Sequence, residues 1–149
     1  SLGGNVAVAA SMAYAKLTAA IEDKMLYEVL ATKNNITPKL PNPMGNVIGG
    51  GKHAVNGTTM QEFLALSTGK SYSEMAFANI AVHKKIGEIL KAKFPTLSLG
   101  LGDEKAWVAS LDDDYALQVL SDATKYCSEK TGVTIRPAID LAATEFYEN

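Results

Sequence analysis

The pattern of apolar and polar positions first predicts a helical, alanine-rich start. Between residues 5 and 30, apolar side chains recur at helical spacing, and most are alanine, the residue with the highest helix propensity. The charged run at residues 22–24 interrupts this pattern, so residues 26–30 are predicted to form a separate short turn. Three prolines between residues 38 and 43 prevent another helix directly afterwards. The sequence therefore predicts a helical lead-in over residues 1–37.

Two strands are predicted after the prolines. Residues 46–48 form a short extended run, three glycines follow at residues 49–51, and residues 60–66 read as a second strand. The Asn56-Gly57 pair between the strands is a turn signal. The pattern predicts a strand, a glycine-rich loop and an antiparallel return strand.

Two amphipathic helices are predicted further along the chain. Ser71 and Glu74 form a capping box at the start of the first, whose apolar stripe continues to about Lys93. The second begins at the acidic run 112–114 and ends before Gly132. Acidic residues favour a helix N-terminus through its dipole, so we exclude this run from the candidate site.

A loop and a final strand complete the prediction. Residues 97–102 are predicted as a glycine-flanked loop that carries Asp103 and Glu104, and residues 135–143 as the last strand. The order of elements is typical of the α/β class. The last helix–strand pair suits a βα-barrel, whereas the adjacent hairpin does not fit a plain alternating barrel.

Composition narrows the class of protein. The chain has 149 residues, 47% of them hydrophobic and 20% charged, with a formal charge of −2, and this argues against nucleic-acid binding. Cys127 is the only cysteine, which excludes an internal disulfide and is compatible with a reducing cytosol. We expect it to be buried in a helix. The alanine-rich start lacks a basic leader, so the sequence predicts a cytoplasmic protein without a membrane span.

Carboxylates near apolar runs are candidates for catalytic or metal-binding residues. Asp140 lies inside the apolar run 138–143, where an unpaired charge is costly. A magnesium ligand at a strand end and a structural ion pair explain it equally well. Alternation along the strand places Glu62 on the face opposite Phe63, where it is either exposed to solvent or functional in a barrel lumen. The Asp103-Glu104 pair alone reads as an ordinary loop.

The glycine run and the two histidines complete the candidates. The run 49–51 matches neither a P-loop nor a dinucleotide fingerprint, and taken alone it reads as a flexible turn. His53 lies in a polar, glycine-flanked loop rather than on an apolar stripe. His83 lies within the predicted helix, and we interpret it as a surface residue.

Segments in the same order resemble those of enolases. They are Leu2-Gly3-Gly4-Asn5-Val6-Ala7 (LGANA), Leu26-Tyr27 (PLY), Leu40-Pro41-Asn42-Pro43 through Asn46-Val47-Ile48 (LPVP and NVINGG), His53-Ala54-Val55-Asn56 (SHAGN), Met60-Gln61-Glu62-Phe63 (MQEF), Gly102-Asp103-Glu104 (GDEGG) and Asp140 through Tyr147 (DVAASEFY). The resemblance covers essentially the whole chain. It implies a partial enolase-type TIM barrel, a strand–strand hairpin followed by helices and a further strand, preceded by an alanine-rich helix.

The resemblance also implies a reaction and a set of roles. Enolase (phosphopyruvate hydratase) is an Mg²⁺-dependent lyase that dehydrates 2-phosphoglycerate to phosphoenolpyruvate in glycolysis and gluconeogenesis. Glu104 falls on the family's proton donor, and Glu62 on a carboxylate near the same hydroxyl. Gln61 and His53 fall on substrate contacts. Asp140 falls on one of three carboxylates that hold Mg²⁺.

Three differences from the enolase motifs indicate a divergent member of that family. Gly49 replaces an asparagine, Val55 replaces a glycine, and Lys105-Ala106-Trp107 replaces Gly-Gly-Phe. A non-catalytic, enolase-like binding or scaffolding module is therefore the alternative function.

The resemblance assigns the other two Mg²⁺ carboxylates, the lysine base and a smaller N-terminal domain to segments outside this chain. We therefore expect residues 1–149 to be the N-terminal part of a barrel domain, with the lead-in at 1–37 and the first barrel strands and helices at 38–149. On its own the chain is expected to be inactive. Exposed strand edges predict a homo-oligomer.

Overall fold

The computed structural model describes residues 3–54, 57–96 and 99–147. The chain forms two compact units, Ser1–Pro41 and Asn42–Asn149. Within the described residues, no helix combines the length and the apolar character needed to cross a membrane.

The first unit contains two helices within its described residues, 3–41. They are α1 (Gly4–Ile21) and α2 (Leu26–Asn34), which pack against each other. The predicted break between them is confirmed, because Asp23 adopts a left-handed conformation with φ of 50° and the chain reverses there. The segment after the break is a nine-residue helix rather than a short turn, and it ends where Asn35 is also left-handed, with φ of 51°.

The second unit contains five strands and two long helices within its described residues. In chain order they are β1 (Met44–Gly49), β2 (Glu62–Thr68), α3 (Tyr72–Lys93), β3 (Gly100–Leu101), β4 (Trp107–Val108), α4 (Asp113–Thr131) and β5 (Thr134–Asp140). Short 3₁₀ turns lie at Gly51–His53 and Ala143–Phe146.

The five strands form one sheet in the order β3-β4-β1-β2-β5. The predicted antiparallel pairing of the first two strands is confirmed, and β5 is antiparallel to β2 on its other side. A bulge at Val47 lets both Val47 and its neighbour Ile48 become buried, because it interrupts the alternation of β1. This mixed arrangement of strands and helices is the α/β class that the sequence predicted.

Both amphipathic helices form where their caps predict them. In α3, Ser71 Oγ accepts a hydrogen bond from the Glu74 amide and Glu74 Oε2 accepts one from the Ser71 amide. The hydrogen bonds from Ser71 lower the pKa of the Glu74 carboxyl. In α4, Asp112 caps the first turn, and Gly132 ends the helix with φ of 68°.

Several predicted boundaries differ from the structure: β1 is Met44–Gly49 rather than residues 46–48, and β2 is Glu62–Thr68 rather than residues 60–66. The predicted loop before Asp103 contains strand β3, which pairs with β4 in a hairpin; residues 97–98 of that loop lie outside the described residues. Strands of two residues have no measurable periodicity, which is why the sequence did not reveal them. The last strand ends at Asp140 rather than at residue 143, because Ala142 adopts a left-handed conformation with φ of 48°.

The main core lies between one face of the sheet and helices α3 and α4. Its largest fully buried side chains are Ile48, Phe63, Ile86, Leu90 and Leu120. Cys127 is buried in α4, as predicted, and this burial raises the pKa of its thiol.

Candidate active site

Three of the predicted site residues line a single cavity. Glu62 on β2, Asp140 at the end of β5 and Glu104 on the β3–β4 hairpin all contribute to a cavity of about 500 Å³. Its other lining residues are Met44, Asn46, Leu64, Ala138 and Ile139. The fold thus gathers carboxylates that lie far apart in the sequence.

Strand register explains why two of these carboxylates are neighbours. Glu62 pairs with Gly49 of β1 on one side and lies directly opposite Asp140 of β5 on the other. Both carboxylates thus lie on the same face of the ladder, where Glu62 is half-buried and Asp140 is exposed. Asp140 also turns the chain, because its Oδ1 accepts a hydrogen bond of 2.9 Å from the Ala142 amide.

The two faces of β2 separate the core from the cavity. Phe63 is fully buried against the helices, whereas Glu62 is half-buried and lines the cavity. This is the orientation that strand alternation predicted for Glu62.

Glu104 lies at the tip of what we call the acid hairpin, residues 100–108. The Lys105 amide donates to the Gly102 carbonyl at 3.0 Å, and the Gly102 amide donates to the Ala106 carbonyl at 2.9 Å. With Lys105 left-handed at φ of 63°, this is a three-residue hairpin loop of the kind that usually carries glycine at that position. Asp103 and Glu104 thus lie in a loop, as predicted, and this loop is the turn of a short hairpin.

Asn46 also lines the cavity, which the sequence did not indicate. Its Nδ2 donates a hydrogen bond of 2.9 Å to Glu104 Oε2, 58 residues away in the chain. Its Oδ1 is buried and has no hydrogen-bond partner within the described part of the chain. The sequence shows a polar side chain, that of Asn46, inside a predicted strand, but it does not show which residue this side chain contacts.

Gln61 and His53 lie in the segment between β1 and β2. Gln61 lines a smaller cavity that it shares with Glu62 and Glu104, and its carbonyl accepts a hydrogen bond from the Gly50 amide at 2.8 Å. The backbone of His53 lies in the 3₁₀ turn that follows β1, and its side chain is outside the described part of the structure.

The acidic run before α4 has a structural role, consistent with its exclusion from the site. Asp113 Oδ1 accepts hydrogen bonds from the amides of Thr59 at 2.8 Å and Met60 at 3.2 Å. It therefore fastens the chain just before Gln61 and Glu62 to the N-terminus of α4.

His83 differs from the prediction. It is half-buried rather than a surface residue, and its Nε2 lies 2.8 Å from the Lys105 carbonyl oxygen. Helical position alone did not reveal this contact, because the acid hairpin that covers His83 was predicted as a loop.

The carboxylates suit a hard cation, yet they do not form a complete metal centre. Carboxylate oxygens are the ligands that Mg²⁺ prefers, and Asp140 presents them at a strand end. Among the described residues, however, no group of three or more histidine, cysteine, aspartate or glutamate side chains is arranged to hold a metal ion.

Replacing Lys105 by glycine is expected to stabilise the protein. A left-handed conformation costs a non-glycine residue about 1–2 kcal/mol, and the flexibility of glycine in the unfolded chain offsets part of the gain. We expect the free energy of unfolding to rise by about 1 kcal/mol, measured by urea denaturation. Lys39→Gly is the control, because Lys39 is exposed and has no positive φ. Equal stabilisation by both variants would contradict the argument.

The fold and the cavity together define a class: an α/β-barrel segment with carboxylates gathered at the strand ends. The family model described as "Enolase, C-terminal TIM barrel domain" matches residues 37–149. The chain therefore belongs to the enolase family and carries part of its C-terminal barrel domain.

Individual relatives agree with this assignment. The chain is 44% identical to the enolase of Thermoplasma acidophilum over 149 residues, which is 100% of this chain and 36% of that protein. It is 41% identical to the enolase of Picrophilus torridus and 43% identical to that of Methanothermobacter thermautotrophicus, each across 99% of the chain and 36% of the relative. The chain thus spans about 36% of the length of these enolases.

Proposed function

We propose that this chain is a segment of a working enolase, a lyase that dehydrates 2-phosphoglycerate to phosphoenolpyruvate. The observation that carries the proposal is the cavity lined jointly by Glu62, Glu104 and Asp140. Membership of the enolase family supports the choice of reaction.

In this proposal Glu104 and Glu62 both act at the substrate hydroxyl that is eliminated. Glu104 donates the proton with which the substrate hydroxyl leaves as water, and Glu62 contacts the same hydroxyl. The hydrogen bond from Asn46 holds the Glu104 side chain toward the cavity. Gln61 and His53 contact the substrate elsewhere.

We further propose that Asp140 is one of three carboxylate ligands of Mg²⁺. It lines the same cavity as Glu62 and Glu104, and its carboxylate oxygens suit Mg²⁺. When bound, the cation stabilises negative charge on the substrate. The other ligands and the base are assigned to segments outside this chain, so the chain alone is expected to be inactive and to bind Mg²⁺ weakly.

An enolase-like binding or scaffolding module is the second candidate. It is favoured by the substituted acid hairpin, in which Lys105 occupies a left-handed position and Trp107 contacts α3. This candidate predicts a folded protein that does not turn over 2-phosphoglycerate.

The deciding experiment measures phosphoenolpyruvate formation from 2-phosphoglycerate, with and without Mg²⁺, by an enolase polypeptide that contains this chain. Mg²⁺-dependent turnover supports the first proposal, and a folded polypeptide without turnover supports the second. The same assay on the 149-residue chain alone is expected to show no turnover. Formation of product at an enzyme's rate by the chain alone would contradict the assignment of the base to another segment.

Location and assembly are also part of the proposal. A buried, unpaired Cys127 suits the reducing cytoplasm. Strands β3 and β5 are at the edges of the described sheet, and we propose that such edges take part in homo-oligomer formation.

A further inference from the structure

Trp107 attaches the acid hairpin to helix α3. Its Nε1 donates a hydrogen bond of 2.8 Å to the carbonyl oxygen of His83. Its ring lies against Gly87, where an added Cβ would come within 2.5 Å of the indole Cζ2 and 2.9 Å of Cε2. The absence of a side chain at Gly87 therefore makes the space that the indole occupies.

His83 holds the same hairpin at a second point. A carbonyl oxygen only accepts hydrogen bonds, so His83 Nε2 carries the proton and donates to the Lys105 carbonyl at 2.8 Å. The imidazole also stacks on the Trp107 ring, with centroids 5.1 Å apart and planes 22° apart. We call His83, Gly87 and Trp107 the hairpin clamp.

The clamp acts next to the proposed proton donor. Lys105, whose carbonyl His83 binds, directly follows Glu104, and the Glu104 carboxylate accepts a hydrogen bond from Asn46. Strands β3 and β4 have two residues each, and the hairpin joins the rest of the sheet only through the pairing of β4 with β1 at Trp107 and Ile48. The turn at residues 102–106 lies beyond that pairing, so the contacts with α3 add to what keeps it in one conformation.

We propose that His83 and Trp107 are positioning residues that hold Glu104 in the cavity by fixing the acid hairpin to α3. The proposal rests on the role of Glu104 given above. The fixation itself can be measured independently of any activity.

The test follows hydrogen exchange at the Gly102 and Lys105 amides, which close the hairpin, in the 149-residue chain. His83→Leu removes the donor to Lys105, and exchange at both amides is expected to become about tenfold faster, the factor that one lost hydrogen bond produces. His83→Gln retains an N–H donor and is expected to restore exchange to within about threefold. Lys84→Ala, an exposed neighbour on α3, is the control and should change nothing.

Trp107 supplies a second readout because it is the only tryptophan in the chain. Its fluorescence is expected to shift to longer wavelength in His83→Leu, as the indole becomes more exposed, and to be retained in His83→Gln. Unchanged hairpin exchange and unchanged emission in His83→Leu would overturn the proposal.

Gly87→Ala tests the clamp without removing a polar group. Alanine favours the helix, but its Cβ displaces the indole, so the same loss of protection is expected. The β2–β5 ladder amides should keep their protection in this variant. If His83→Leu also speeds exchange in the β2–β5 ladder, that variant has a general effect on folding and Gly87→Ala becomes the deciding test. Unchanged exchange of the hairpin amides in Gly87→Ala would then overturn the proposal.

Activity then separates the two proposals. In an enolase polypeptide that contains this chain, His83→Leu is expected to lower kcat while KM changes little, because the clamp positions the donor rather than the substrate. If Glu104→Gln retained full turnover, the assigned role of Glu104 would fail, although the exchange experiment would still report whether the clamp fixes the hairpin.

Discussion

Replacing Glu104 by glutamine is expected to lower turnover of 2-phosphoglycerate by about 10²–10⁴-fold in an enolase polypeptide that contains this chain. Glutamine has nearly the same shape and retains an oxygen that can accept the hydrogen bond from Asn46. The substitution therefore removes the transferable proton and leaves the position of the side chain in place. Steady-state assays at saturating Mg²⁺ would measure the loss in kcat.

The matched control for this variant is Glu129→Gln. Glu129 lies on an exposed face of α4, so the same chemical change there should leave turnover unaltered. Full activity of Glu104→Gln would show that another group donates the proton. Equal losses in both variants would indicate a general effect on folding.

Replacing Gly50 by alanine is expected to cause a large loss of stability. The added Cβ would lie 1.9 Å from Thr58 Oγ1, 2.4 Å from the Met60 carbonyl oxygen and 2.6 Å from the Thr58 carbonyl oxygen. Two of these atoms belong to the backbone and cannot rotate away, so the segment before β2 must move. We expect the free energy of unfolding to fall by about 3 kcal/mol, measured by urea denaturation.

Gly100→Ala is the control for this substitution. A Cβ at Gly100 meets no atom within 4 Å, and its φ is not positive, so the stability should stay within about 1 kcal/mol of the parent. An unchanged midpoint for Gly50→Ala would show that the segment between β1 and β2 adapts more readily than its close contacts suggest.

Elements defined by local interactions could be predicted from the sequence. Helices α3 and α4 carry their caps and apolar stripes within their own residues, and both formed as expected. The acid hairpin could not be predicted, because its strands are too short for periodicity and Lys105 occupies the position where a glycine would have signalled the turn.

The candidate site could be predicted only in part, for a related reason. Alternation along β2 placed Glu62 on the correct face, and the resemblance to enolases identified Glu104 and Asp140 as candidates. The contact of Asn46 with Glu104 joins residues 58 positions apart, and that of His83 with Lys105 joins residues 22 apart. No local pattern encodes such pairs, so they emerged only from the fold.

The register of β2 with β5 also has a consequence for how the end of this ladder opens. Thr68 and Thr134, 66 residues apart, form its near end, whereas Glu62 and Asp140 form its far end. The two carboxylates are therefore a terminal pair, and the terminal pairs of a ladder open at the smallest cost in free energy. A ligand that binds both carboxylates would therefore stabilise this end of the sheet against opening.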